Sequence, residues 1–250
     1  MSLLGEPDNA VYRLAKAGTR ALLDAVDAAD AKGAAAKASK ALPCEAVKAY
    51  LEAAFLGPLL RSASEIPYAA NAGVLGTYVE YLDGELARGA PHVTPGHQAH
   101  LKLLVYVLAI EASAPLSVYG NCLEFLARKR ESFDFGIYYD KRSTAKKLDA
   151  VSSALEREGT APQEFRALHG AMRELIDREL RNAVAHATYR VHPDREQVDI
   201  WDDGERTGSL TFEKVDQAYR DARGYQQGFV AGVSDFAARI HPDCPYAWRP

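Results

Sequence analysis

The chain has 250 residues, 48% of them apolar and 26% charged, with a net charge of −4. These values fit a soluble globular protein with one large core or two small ones, and they exclude a global basic field that would draw nucleic acid over the whole surface. Three cysteines, Cys44, Cys122 and Cys244, lie far apart, which speaks against a disulfide framework or a zinc ribbon and fits a reducing compartment.

The first residues, MSLLGEPDNA, carry no basic run ahead of a long apolar core, so no signal peptide is expected. The longest apolar stretch, LLVYVLAI at 103–110, is too short to span a bilayer. A cytoplasmic protein without membrane contact is the expectation. From about residue 8 to 40 an alanine-rich segment repeats Leu14, Ala17, Ala21, Leu22 and Val26 at helical spacing. Pro43 opens a second helix that Gly57-Pro58 interrupts, and Val74, Leu75, Tyr78, Val79 and Leu82 predict a third over 71–88. RGAPHVTPGH then reads as a linker, dividing an N-terminal helical region, 1–94, from a bundle over 95–250.

The bundle opens as a helical hairpin, HQAHLKLLVYVLAIEASA followed by PLSVYGNCLEFLARKR, and an irregular aromatic loop, ESFDFGIYYD, comes next. Lys141, Arg142, Lys146 and Lys147 open another helix that runs to about 157. A long helix is expected from Pro162 to about 188. Val198 and Ile200, then Leu210 and Phe212, alternate with polar residues around Asp203-Gly204, which predicts a small β-hairpin near 197–212 with Trp201 packed in it. Thr211 caps a last helix from about 212 to 240, with Glu213 in its first turn. The fold class expected is mainly α: a helical bundle with a small β-hairpin and a helical N-terminal extension.

One stretch departs from ordinary packing: RELRNAVAHATYRV, residues 178–191. On a continuous helix at about 100° per residue, Met172, Ile176, Leu180, Ala183 and Ala187 form a core stripe with Leu168 and Leu175 at its edge. Glu179, Asn182 and His186 form a polar row along that stripe, with Arg178 beside them. Arg181 falls about 140° from His186. The two meet if the helix end unwinds, if the arginine reaches round, or if two copies pack their helices across a two-fold axis. The bland alternative is a helix-end histidine bonded to a carbonyl and an arginine paired with Asp177. A structural helical protein with an accidental motif is the plainest function class.

The stretch LRNAVAHATY resembles the motif of the HEPN family (higher eukaryote and prokaryote nucleotide-binding domain). That motif is an arginine, a polar residue after it, and a histidine four to six positions on, at the end of a bundle helix. The resemblance extends over about residues 95–225, including YGNCLEFLARK and the strand segment after the motif, and leaves out the first 90 residues. It implies a HEPN-like bundle that dimerises with its motifs facing each other, and a metal-independent endoribonuclease of toxin–antitoxin or antiphage systems. The residue types suit that chemistry. RNA brings its own nucleophile, the 2′-hydroxyl; a histidine moves the proton and an arginine holds the scissile phosphate.

The resemblance therefore implies catalytic roles for His186 as general acid/base, Arg181 as phosphate clamp and Asn182 as an orienting group. Arg178, Glu179, Tyr189 and Lys146 are candidate substrate-binding residues. RNA, a second copy of the chain and an antitoxin or other partner protein are the expected partners, with no metal and no cofactor. One class of the family has a tyrosine two positions after the histidine; here Thr188 stands there and Tyr189 follows. The second functional reading is a non-catalytic HEPN module that binds a nucleotide or a protein. Asn121 and Glu124 are candidates to line the same cleft. His97 and His100 have no carboxylate or thiolate companion nearby in sequence and read as surface histidines.

Overall fold

The structure, a computed structural model, describes residues 9–30, 94–111, 114–127, 144–159, 161–202 and 204–240. The helices expected within 43–88, most of the linker, the aromatic loop, Lys141 and Arg142 lie outside them. The described elements are α1 (Ala10–Ala29), α2 (Pro95–Glu111), α3 (Ala114–Leu126), α4 (Thr144–Glu158), α5 (Gln163–Leu175), α6 (Arg178–Ala185), β1 (Tyr189–His192), β2 (Gln197–Asp202), β3 (Glu205–Thr211) and α7 (Phe212–Ile240). The fold is mainly α, with a small three-stranded antiparallel sheet in the order β1-β2-β3.

The longest contact is between α1 and α7. Asn9 starts α1 by accepting from the Tyr12 N–H at 2.7 Å. Gly224, Gly228 and Gly232 recur every fourth residue along α7 and bring the two backbones close together. A Cβ at Gly228 would lie 2.6 Å from the Ala15 Cβ, and one at Gly232 2.7 Å from the Lys16 carbonyl oxygen. Ala15, Leu22, Leu23 and Val26 of α1 share one core with Leu103, Tyr106, Leu123, Phe165, Leu168, Tyr225 and Phe229. The alanine-rich helix at the start of the chain is therefore part of the same packing unit as the elements after residue 94. A buried hydrogen bond between Thr19 Oγ1 and the Tyr119 hydroxyl, 2.7 Å, ties α1 to α3.

α2 packs mainly on α7, while α3 packs on α4 and α1. The expected hairpin of two mutually packed helices is not their arrangement; each is apolar enough to take a partner elsewhere in the core. Pro115 lies buried in the first turn of α3, where its missing N–H costs the helix nothing. The stretch Pro95–Leu126 is long and apolar enough to cross a membrane by length and composition, and 57% of its apolar window is buried inside the fold.

The helix expected over 162–188 is two helices. It breaks at Ile176 and Asp177, which leave helical backbone angles. The Asp177 carboxylate accepts from the N–H groups of Glu179 at 2.9 Å and Leu180 at 3.0 Å and so starts α6 afresh. The core residues on either side keep their burial: Leu168, Met172, Leu175 and Ile176 before it, Leu180, Ala183 and Val184 after it. Ala187, placed on the core stripe by a continuous helix, is exposed instead.

The hairpin over 197–212 forms as β2 and β3, with Gly204 at φ +84° in its turn, and gains a third strand, β1, from the segment just after the motif. Val191, Val198 and Leu210 lie in register on the core face, while Arg190, Asp199 and Ser209 lie in register on the other. A bulge between Ile200 and Trp201 pairs Trp201 with Arg206. Trp201 does not pack inside the hairpin; it is 36% exposed. Thr211 caps α7 as expected, accepting from the Lys214 N–H at 3.3 Å.

Candidate functional site

Arg181, Asn182 and His186 all sit on α6 or its C-terminal cap. The helix is only eight residues long, and Leu180, Ala183 and Val184 anchor it to the core. Its other faces are left for polar side chains. Arg181 and Asn182 are half-buried and joined: the Arg181 Nη1 donates to Asn182 Oδ1 at 2.8 Å. Asn182 therefore fixes one edge of the guanidinium.

His186 is the C-cap of α6 and is exposed. Its N–H donates to the Asn182 carbonyl at 2.9 Å. Behind it, the Ala187 N–H donates to Val184 O at 3.2 Å and the Thr188 N–H to Ala183 O at 2.8 Å. This is the Schellman pattern, in which the residue after the cap adopts the left-handed conformation, usually as glycine. Here that residue is Ala187, at φ +56°. The strain costs roughly 1 kcal/mol and lies next to the candidate histidine. Of the three ways for Arg181 and His186 to meet, the helix does end at the histidine, and both side chains reach solvent. Among the described residues the His186 imidazole makes no hydrogen bond or ion pair, and the structure brings it no contact with Arg181.

Helix α2 brackets α6 at both ends. At one end Tyr106, fully buried, donates its hydroxyl proton to Leu175 O at 3.0 Å and accepts from the Asp177 N–H at 3.2 Å. At the other end His100 Nδ1 lies 3.1 Å from the Tyr189 hydroxyl, with the rings 5.4 Å apart. Burial, and then the charge of His97, hold His100 below the ordinary imidazole range. Burial raises the Tyr189 phenol. Tyr189 thus lies three residues past the motif histidine with its ring against the core and its hydroxyl on a second imidazole.

The other expected contributors fall in different places. Arg178 and Glu179 are exposed on the first turn of α6. Lys146 is exposed on α4, which packs on α3 and α5, so this packing does not bring it to α6. Its neighbour Lys147, read as part of one basic run, is buried. Asn121 and Glu124 ride on α3, against α4 and α1, and Asn121 is buried there. Among the described residues no three His, Cys, Asp or Glu side chains gather as a metal site needs.

No protein-family model, curated protein or solved structure matches this chain. The chemistry of the site rests on its own residues. His100 and Tyr106 are the additions the sequence did not offer: both lie more than 60 residues upstream of their partners, and only the packing of α2 along α6 connects them. A second polar pair, Ser152 Oγ and His169 Nε2 at 2.7 Å, looks nucleophilic by residue type. The serine hydroxyl also bonds the Leu148 carbonyl at 3.0 Å, so its proton is committed there and the imidazole is left to donate. The pair is a structural clasp between α4 and α5.

Proposed function

We propose that this chain is a metal-independent endoribonuclease of the HEPN type, acting as a homodimer in the cytoplasm in toxin or antiphage defence. The single observation that carries the reading is the placement of Arg181, Asn182 and His186. Three residues of the motif share one short helix and its cap, with the guanidinium held by Asn182 and the imidazole open to solvent.

In the proposed reaction the 2′-hydroxyl of RNA attacks the adjacent phosphorus. His186 moves the proton, taking it from the 2′-hydroxyl or giving it to the departing 5′-oxygen. Arg181 bears on the non-bridging oxygens, where charge builds in the transition state. The products are a 2′,3′-cyclic phosphate and a 5′-hydroxyl. A second copy of α6 across a two-fold axis supplies the facing Arg181 and closes the angular gap within one chain. An antitoxin or other partner protein restrains the activity.

The test is incubation of the protein with transfer RNA and total RNA in EDTA, beside His186→Ala and Arg181→Ala. Cleavage by the wild type, lost in both variants with folding intact, supports the reading. Binding of RNA or nucleotide without cleavage replaces it with a non-catalytic HEPN module, and a strict monomer in solution removes the two-fold site.

A further inference from the structure

The outward face of the sheet is the least expected surface of the molecule. Trp201 and Leu104 are the exposed large hydrophobic residues among those described. Trp201 stands on a sheet face whose other members are polar: Arg190, His192, Asp199, Arg206 and Ser209. Its cross-strand partner is Arg206. Asp199, only 7% exposed in its side chain, sits between Arg206 Nη2 and His192 Nε2, each 3.1 Å from one of its oxygens. Neither contact is aligned as a hydrogen bond, and the carboxylate draws the guanidinium of Arg206, the cross-strand partner of Trp201, into an ion pair on this face. Arg206 keeps 47% of its side chain in solvent. Arg190, directly across from Asp199, is exposed and has no ion-pair partner among the described residues.

This face also joins the motif. The Trp201 N–H donates to the Thr188 carbonyl at 2.9 Å, two residues past His186. Two residues of chain span at most about 7 Å, so the backbone at Trp201 lies close to that at His186, a separation that a short nucleotide run can bridge. The acidic pair Asp202 and Glu205 closes the hairpin one step beyond Trp201. A polyanion is repelled there, which leaves Trp201, level with Thr188 at the α6 end of β1, and Arg190, two residues further along that strand, as its points of contact.

We propose that this face is a docking platform for single-stranded RNA. Trp201 stacks one unpaired base, and Arg190 and Arg206 bear on the flanking phosphates. The inference deepens the nuclease reading, on which it rests for the identity of the strand. It makes the substrate single-stranded next to the cut, because an indole can stack only on a base whose face is free.

The experiment measures binding of a labelled single-stranded oligoribonucleotide, and of the same sequence as a duplex, to the full chain carrying His186→Ala so that the probe stays whole. Trp201→Ala is expected to weaken single-strand binding about tenfold, and Trp201→Phe to restore most of it, because stacking survives in the smaller ring. Arg190→Ala and Arg206→Ala are each expected to lower the salt slope by about one. The chain has two tryptophans, so Trp248→Phe leaves Trp201 as the sole emitter, and its quenching on binding is a readout that a merely structural role does not move. Equal binding by wild type and Trp201→Ala overturns the platform. So does a preference for duplex, an absence of binding, or a Trp201→Ala effect confined to self-association. Cleavage by wild type with unchanged Trp201→Ala binding removes the platform and leaves the nuclease. Trp201-dependent binding without cleavage does the reverse.

Discussion

Tyr106 and Asp177 meet across the break between α5 and α6, where the tyrosine oxygen accepts from the aspartate's backbone N–H at 3.2 Å and donates to Leu175 O. One hydroxyl from α2 thus joins two backbone groups that a continuous helix would use internally. It sets the direction in which the eight motif-bearing residues leave the core. Tyr106→Phe is expected to destabilise the protein by about 0.5–1.5 kcal/mol, the net worth of an ordinary hydrogen bond, because the Asp177 N–H still donates to Leu175 O at 3.0 Å. Urea unfolding measures this. A loss of RNA cleavage beyond that explained by the unfolded fraction is also expected, since α6 loses its anchor.

The carboxylate at the same break has a separable role. Asp177→Ala removes two acceptor contacts to the first turn of α6 and is expected to cost about 1 kcal/mol, while Asp177→Asn retains most of that stability. Equal loss in both variants contradicts the capping role.

That break marks where the sequence misleads. Ile176-Asp177 contains neither proline nor glycine, and the apolar spacing runs through it with little change of phase. Asp177 is a good N-cap, but an aspartate inside a periodic stretch reads just as well as a surface residue. The local signals that did transfer were strong ones. Asp203-Gly204 between alternating segments marked the hairpin, and Thr211 marked the start of α7. The pairing of β1 with β2 is set by register and not by its own four residues, so the segment after the motif does not announce a third strand of the hairpin sheet. The position of Trp201 depends on a bulge, which no spacing rule reveals. Within the site, Arg181, Asn182 and His186 were legible as a motif, whereas Tyr106 and His100 depend on tertiary packing alone.

Ala187 stores strain behind the histidine. Ala187→Gly is expected to stabilise the fold by up to about 1 kcal/mol, because glycine takes the left-handed conformation without a Cβ clash, less the added freedom of the unfolded chain. A thermal midpoint that falls instead contradicts the Schellman assignment.

The α1–α7 contact sets the shape of the core. Gly228→Ala is expected to destabilise by about 1–3 kcal/mol, as the new methyl meets the Tyr12 carbonyl and the Ala15 Cβ, and neither backbone can give way. Denaturant unfolding followed by circular dichroism reads the loss, and an unchanged midpoint removes the close approach.

Acid is expected to weaken the fold through two imidazoles. His100 and His169 both lie below the ordinary value of 6.5, each first by burial, His100 next by the charge of His97 and His169 by that of Arg173. Just below pH 6.5 the unfolded chain binds more protons at these positions than the folded chain. Their contribution is therefore present above that pH and is lost as pH falls through the lowered folded values. Thermal midpoints taken from pH 7.5 to 5 are expected to fall, and to fall less in His169→Gln and His100→Gln. Identical profiles in all three proteins contradict this.

The central claim is that Arg181 and His186 cut RNA by internal attack, and end-group analysis of a defined single-stranded oligoribonucleotide in EDTA tests it most directly. Wild type is expected to yield a 2′,3′-cyclic phosphate and a 5′-hydroxyl. A single 2′-deoxy substitution at the cut position is expected to abolish the product, His186→Ala to slow it about 10²–10⁴-fold, and Arg181→Ala to slow it about 10²–10³-fold. Cleavage that survives the 2′-deoxy substitution, or that persists at the wild-type rate in both variants, contradicts the account.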